Sequence, residues 1–244
     1  MKIQVFESIE ALAEASAKFI AEQAKAAFAE RGQFDIALSG GSTPRATYSR
    51  MALGPFSNTI PWPRVHVFWS DERCAPPESP ESNYRMARET MLQHLPIPEA
   101  NIHRLQGELP PQEAATQANR ELAAHSGEGI PSFDLILLGL GEDGHTASLF
   151  PGSAALKQSN ELISANYVTK LDAWRLTFTS ALINAARQIL FMVSGESKAE
   201  AVKGVIEERD PALPATGVQP APGNVAWHLD HPAASRLSRQ TLGD

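Results

Sequence analysis

The chain has 244 residues, of which 43% are hydrophobic and 20% are charged, and its formal net charge is −7 at pH 7. This length and composition are typical of a globular protein with a substantial core and exclude a disordered or fibrous chain. An acidic chain lacks the positive surface field that nucleic acids and anionic membranes require, so we expect neither as a partner. One cysteine, Cys74, permits no intrachain disulfide, and no apolar run reaches the about 18 residues of a membrane helix. We therefore expect a cytoplasmic protein.

Apolar residues recur with two different periods along the chain. Helical spacing predicts helices over residues 8–31, 81–95, 111–125 and 197–208. Short apolar runs predict strands at residues 35–39, 65–69, 134–140, 175–179, 188–194 and 225–230. Unbroken apolar runs are typical of strands buried on both faces, so the pattern predicts a doubly wound α/β fold with a mostly parallel sheet flanked by helices. We expect residues 1–244 to form a single domain whose ligand lies at the carboxyl ends of the strands.

The loop SGGSTP (39–44) follows the first of these predicted strands. Gly40 and Gly41 allow the backbone to approach a ligand closely, and Ser42 or Thr43 is suited to cap the next helix. A helix amino terminus with free N–H groups is an anion site, although this loop lacks the lysine of a P-loop. The alternative interpretation is an ordinary capped turn.

A second glycine-rich segment, GLGEDG (139–144), matches the spacing of a dinucleotide-binding turn. That function requires a helix to follow, but only six residues separate Gly144 from Pro151, so we exclude it. The loop instead presents Asp143 and His145 where a strand ends. Histidine exchanges protons near neutral pH, which makes His145 a candidate general base rather than a structural histidine.

Three basic residues also lie at predicted strand ends or helix starts. Arg73 ends the sequence DER (71–73), for which spacing alone favours a surface salt-bridge cluster over a ligand site. Arg175 begins a predicted strand, and Lys198 begins a helix that Ser197 is suited to cap. Such a local positive patch suits an anionic ligand, for example a small phosphorylated substrate.

Four ordered motifs resemble the 6-phosphogluconolactonase family. They are SGGSTP (39–44), SDER followed by SNY (70–84), GLGEDGHTASLFPG (139–152) and, more loosely, LPATG with NVAWHLD (213–230). The resemblance implies a glucosamine-6-phosphate deaminase-like fold and hydrolysis of 6-phospho-D-glucono-1,5-lactone to 6-phosphogluconate in the pentose phosphate pathway. No cluster of His, Cys and Asp residues has the spacing of metal ligands, so we expect neither a metal nor a cofactor, and we expect a monomer or weak homo-oligomer. Deaminases of the same fold have a loop similar to DGHIAFNEP, so DGHTASLFP favours the lactonase.

The resemblance also implies roles for individual residues. His145 would be the general base, and Arg73, Arg175, Lys198 and the 39–44 loop would bind the phosphate. From the residues themselves, we expect Asp143 or another carboxylate to orient His145, and the amides of Gly141 and Gly144 are candidates to stabilise an oxyanion. Two alternatives remain open at this point. They are a glucosamine-6-phosphate deaminase/isomerase and a non-catalytic phosphosugar sensor.

Overall fold

The computed structural model describes residues 1–127, 129–157, 161–220 and 224–243. Its main sheet has six strands in the order β1-β9-β8-β5-β2-β3, and all neighbouring strands are parallel. The strands of the chain are β1 (Lys2–Phe6), β2 (Phe34–Leu38), β3 (Val65–Trp69), β4 (Asp71–Arg73), β5 (Leu135–Leu138), β6 (Ile163–Val168), β7 (Ala173–Phe178), β8 (Ile189–Val193) and β9 (Val225–Asp230). The predicted doubly wound, mostly parallel fold is confirmed.

Helices flank this sheet. They are α1 (Ile9–Arg31), α2 (Ser42–Met51), α3 (Phe56–Thr59), α4 (Asn83–Thr90), α5 (Pro111–Ser126), α6 (Ser180–Asn184), α7 (Ala199–Lys203), α8 (His231–Ala234) and α9 (Arg239–Leu242). Ser8 caps α1 by accepting a hydrogen bond from the amide of Ala11, and Gly32 ends it with a φ of 77°. The predicted helices at 8–31 and 111–125 are thus confirmed.

Two predicted helices are shorter than the sequence suggested. The 81–95 helix ends at Thr90 and is followed by a 3₁₀ turn at Leu92–His94. The 197–208 helix consists of a 3₁₀ turn, then α7, then a π turn at Gly204–Glu208. The helical period continues through all these turns, so the apolar pattern could not separate them.

A second, antiparallel sheet has the order β4-β7-β6. The predicted strand at 175–179 belongs to this sheet rather than to the main one, which corrects our placement of it. The sequence analysis missed β1, β4 and β6, because they are partly exposed or only three residues long. One buried hydrophobic cluster includes strands of both sheets, which fits the predicted single domain. Among the described residues, no helix is long and apolar enough to cross a membrane.

Candidate active site

A cavity of about 330 Å³ opens where β2 and β5 end and where β4 and β7 of the small sheet approach the main one. Most of the predicted site residues line it, namely Gly40, Gly41, Arg73, Gly141, His145, Arg175 and Lys198. The other predicted residues, Ser42, Thr43, Asp143 and Gly144, are not part of its wall. Its volume is that of a small-metabolite site.

The imidazole of His145 is held on two sides. Nδ1 lies 2.5 Å from Oδ1 of Asp143, and the ring of Phe150 stacks on the imidazole with 4.0 Å between centroids. The other carboxylate oxygen of Asp143 accepts a hydrogen bond from Nζ of Lys170 at 2.9 Å. Partial burial acts to raise the pKa of Asp143, but the hydrogen bonds from His145 and Lys170 outweigh it and lower that pKa to about 2.

The charge of Asp143 determines which nitrogen of His145 is free to accept a proton. A carboxylate with a pKa of about 2 is ionised at neutral pH and can only accept hydrogen bonds. In the neutral imidazole, Nδ1 must therefore carry the proton, and Nε2 has the free lone pair. The ring borders the cavity, so this arrangement provides a base at the cavity wall.

The glycine turn before His145 is closely packed against it. A Cβ at Gly141 would lie 1.9 Å from Nδ1 of His145, so another residue at this position would displace the ring. The N–H of Gly141 donates to the carbonyl of His145 at 2.8 Å, and the N–H of Gly144 donates to the carbonyl of Gly141 at 3.0 Å. Both amides are therefore occupied within the turn. The prediction that Gly141 and Gly144 stabilise an oxyanion is wrong for this conformation.

Two guanidinium groups also line the cavity. Arg73 on β4 pairs in register with Arg175 on β7, and each donates to a backbone carbonyl, that of Glu81 and that of Trp174 respectively. Burial, followed by the neighbouring charge of Arg73, lowers the pKa of Arg175. Within the described part of the chain, neither guanidinium forms an ion pair with a carboxylate. Two adjacent cations without such a partner have the charge and geometry that suit an anionic ligand.

Lys198 is a third cation at the cavity, and its ammonium group lies 3.7 Å from Glu142. It lies in a 3₁₀ turn whose preceding residue is Gly195, and no side chain caps that turn. The predicted capping role of Ser197 is therefore wrong. The local reason is that the turn starts at Glu196, one residue before Ser197, so Ser197 lies inside it.

The SGGSTP loop leads directly from β2 into α2. The residue preceding the helix is Gly41, with a φ of 106°, and no side chain caps α2. The predicted capping by Ser42 or Thr43 is wrong, because both already lie in the first helical turn and Oγ1 of Thr43 contacts Oγ of Ser194 at 2.7 Å. Gly40 permits close packing, since a Cβ there would lie 2.0 Å from Oδ1 of Asn83.

The acidic residues of the DER sequence are buried, which corrects the surface salt-bridge interpretation. The carboxylate of Glu72 accepts hydrogen bonds from the amides of Arg73, Asn83 and Tyr84 at 2.7, 2.8 and 2.8 Å. Burial raises the pKa of Glu72, and these hydrogen bonds oppose that rise. Glu72 therefore fixes β4 to the start of α4 and positions Arg73 at the cavity.

Several wall residues were not identified as site residues from the sequence. Oδ2 of Asp71 accepts a hydrogen bond from Oγ of Ser148 at 2.7 Å, and the side-chain Nδ2 of Asn83 donates to the backbone carbonyl of Asp71 at 2.9 Å. Asp71 and Asn83 lie in the SDER and SNY motifs, so the sequence contained a signal that could have identified them as site residues. Lys170 had none, because it follows the unpredicted strand β6 and is distant in sequence from Asp143.

Possible metal ligands lie elsewhere in the molecule. His66, His103 and His125 bring one ring nitrogen each within 4.8 Å of the others, near the amino ends of β2 and β3. The sequence shows no metal-ligand spacing for them, because these residues are far apart along the chain and only the fold brings them together. They are at the opposite end of the strands from the cavity.

The fold and the cavity define a class of α/β protein. Its members have a histidine and a pair of arginines at one small cavity, where the strands of the sheet end. A family model described as glucosamine-6-phosphate isomerases/6-phosphogluconolactonase matches residues 7–227. The chain belongs to this family, as its motifs suggested.

Individual relatives agree with this assignment. The chain is 46% identical over 217 residues to a 6-phosphogluconolactonase of Synechocystis sp., which covers 86% of this chain and 88% of the relative. A solved 6-phosphogluconolactonase from Trypanosoma cruzi superimposes with a TM-score of 0.87 at 30% identity, covering 97% of each chain. A monomeric glucosamine-6-phosphate deaminase has the same fold, with a TM-score of 0.81 at 20% identity and coverage of 97% of this chain and 100% of that one.

Proposed function

We propose that this chain is an enzyme that hydrolyses 6-phospho-D-glucono-1,5-lactone to 6-phospho-D-gluconate in the oxidative pentose phosphate pathway. The single observation that carries the proposal is the pairing of a base with a cationic wall in one cavity. His145 lines this cavity with a free nitrogen, and Arg73 and Arg175 line it without a carboxylate partner among the described residues. The names of relatives such as the Synechocystis lactonase support the same substrate.

In the proposed reaction, Nε2 of His145 takes a proton from water as the water oxygen attacks C1 of the lactone. The C1 bond to the ring oxygen then breaks, and the imidazolium returns the proton to that oxygen, so atoms and charge balance. Asp143 stabilises the intermediate imidazolium, since its carboxylate already contacts Nδ1. A base of this kind contributes about 10²–10⁴-fold to the rate.

The substrate phosphate would bind away from the reacting carbon. Arg73 and Arg175 would supply its counter-charge, with Lys198 and the first amides of α2 after Gly41 as further donors. Binding energy at the phosphate then positions C1 beside His145. The cytoplasmic location and the monomeric or weakly associated state stay predictions.

The experiment that tests this proposal measures acid release from freshly prepared lactone, with the spontaneous rate subtracted. The intact chain should hydrolyse the lactone, and His145→Gln should lose most turnover while still binding 6-phosphogluconate. His94→Gln is the matched control, because His94 lies exposed at the end of a 3₁₀ turn outside the cavity. Near-normal turnover by His145→Gln would contradict the base assignment.

The two alternative functions give different results in the same preparation. Ammonia release from glucosamine 6-phosphate would identify a deaminase. Tight binding of 6-phosphogluconate by a chain that leaves the lactone untouched would identify a sensor.

A further inference from the structure

Three histidines meet at the end of the sheet that is remote from the cavity. His66 lies on β3, His103 follows a 3₁₀ turn after α4, and His125 lies in the last turn of α5. Nδ1 of His66 is 3.1 Å from Nε2 of His103, and one nitrogen of His125 completes a set within 4.8 Å. The proposed lactonase reaction uses none of them.

We propose that His66, His103 and His125 bind one divalent zinc ion. Three imidazoles are a ligand set suited to borderline metals of the zinc class, and a fourth position is available to water. Tetrahedral coordination at about 2.1 Å places ligand nitrogens about 3.4 Å apart. The His66–His103 separation of 3.1 Å is already close to this value, and the nitrogen of His125 lies within 4.8 Å of both, so a small movement of the third ring closes the set.

Neighbouring side chains hold the histidine rings in place, as hydrogen-bond partners and packed groups do around the ligands of a metal site. Nε2 of His125 lies 3.1 Å from Oδ2 of Asp35, so this carboxylate orients the ring, as carboxylates do for metal-binding histidines. Phe68 stacks on His103 with 4.3 Å between centroids and an interplanar angle of 10°. The charge of Asp35 also compensates part of the charge of a divalent cation.

A cation would have a route to these ligands. A cavity of about 370 Å³ is lined by Asp35 and His125, and the exposed side-chain fractions of these two residues are 21% and 13%. The other charged groups that line this cavity are Arg31, Asp134 and Arg187, and both arginines lie within ion-pair distance of Asp134. Arg31 also pairs with Glu30, so the two arginines are matched by two carboxylates and oppose cation entry little.

A bound ion would join β3 to the last turn of α5 and to the segment that precedes α5. Its role would therefore be structural, and it would act at a distance from the lactone site. A competing interpretation is a stack of neutral histidines held by hydrogen bonds alone. That stack would require no metal and would show no saturable zinc binding.

The test uses the untagged full-length chain, first stripped of metals with a chelator. Isothermal titration with Zn²⁺ and the visible absorption of Co²⁺ should each give one site per chain, and Zn²⁺ should raise the melting temperature. His66→Gln and His125→Gln should each weaken binding by more than about tenfold, and Asp35→Asn by about tenfold. Circular dichroism checks that each variant is folded, and Asp35→Asn gives a test even where loss of a histidine prevents folding.

Two controls locate the metal. His94→Gln should bind Zn²⁺ like the unaltered chain, because His94 is outside the cluster. His145→Gln separates this site from the lactone cavity and should also leave zinc binding intact, although it removes turnover. The proposal is overturned if His145→Gln abolishes binding while His66→Gln retains it, or if no saturable binding occurs at micromolar Zn²⁺.

Discussion

Asp143 and His145 are two residues apart, and Oδ1 of the carboxylate lies 2.5 Å from Nδ1 of the imidazole. The turn between them is closed by the hydrogen bond from the Gly144 amide to the carbonyl of Gly141. A local turn therefore sets the tautomer of His145, whereas most base–orienter pairs are assembled from distant segments. The second oxygen of Asp143 accepts a hydrogen bond from Lys170, which lies in the 3₁₀ turn between β6 and β7 of the small sheet.

Asp143→Asn should lower kcat by about 100-fold or more with a small change in KM. Lys170 would keep hold of the amide oxygen, so the NH₂ group of the new side chain would face His145. Nδ1 of His145 would then have to accept a hydrogen bond from that NH₂ group, so the proton of the neutral imidazole would move to Nε2. Nε2 could then no longer take a proton from water. Steady-state hydrolysis of the lactone checks this, and an unchanged kcat would show that the carboxylate does not set the tautomer.

Lys170→Met should reduce kcat by about threefold to tenfold, because Asp143 would lose one of its two hydrogen-bond partners and hold His145 less firmly. The folded state should be almost unaffected, since the Lys170 side chain is 68% exposed. Lys157→Met is a matched control, because Lys157 lies exposed in a 3₁₀ turn outside the cavity. Equal turnover by the two variants would argue against a positioning role for Lys170.

The central part of the fold could be predicted because its signals are local. The run Leu135–Leu138 is buried throughout and reads as a parallel strand, and the period of α1 together with its cap at Ser8 defines that helix. The small sheet could not be predicted in the same way. β4 has three residues, and β6 alternates between buried and exposed positions too irregularly to stand out.

In the candidate site, too, the local features could be predicted and the long-range contacts could not. His145 and the glycine loop are contiguous in sequence, so their proximity could be predicted. The burial of Glu72 could not, because its partners are backbone amides that only the packing of α4 brings near. The direction of the Gly141 and Gly144 N–H groups is likewise a property of the folded turn, and motif spacing contains no information about it.

Gly141→Ala should abolish most lactone hydrolysis while phosphosugar binding persists. The added Cβ would lie 1.9 Å from Nδ1 of His145 and 2.8 Å from Oδ1 of Asp143, so it must separate the pair. Gly217→Ala is the matched control, because a Cβ there meets nothing within 4 Å. Binding of 6-phosphogluconate measured by titration, alongside kcat, distinguishes a displaced base from a collapsed cavity. Full activity of Gly141→Ala would show that the turn is not rigid.

Arg175→Met should raise KM by about tenfold to 100-fold, with a smaller effect on kcat, since a charge-assisted contact to phosphate contributes about 1.5–3 kcal/mol. The same change in Arg120, an exposed residue of α5, is the control. Inorganic phosphate should protect the unaltered chain against thermal unfolding and protect Arg175→Met less. Unchanged KM and unchanged protection would remove Arg175 from the phosphate site.

Stability should decrease as the pH falls from about 6.5 to about 4, in part because of His228. Burial, and then the charge of Lys2, lower the pKa of His228 to about 4, and its side chain is 1% exposed with Nδ1 bonded to Oγ of Ser16. In this pH window the unfolded chain binds the proton and the folded chain does not, so protonation favours unfolding. Protonation of His228 should lower the free energy of unfolding by about 3 kcal/mol between neutral pH and pH 4.

Urea unfolding of the unaltered chain and of His228→Gln at pH 7 and pH 4.5 measures this contribution. Glutamine keeps a polar partner for Ser16 but does not titrate, so the stability of the variant should fall less between the two pH values. His66 and His103 also have lowered pKa values, and both proteins contain them. Their effect therefore cancels when the stability loss of the variant is subtracted from that of the unaltered chain. Equal losses in both proteins would mean that His228 is already protonated in the folded chain, or that water reaches it.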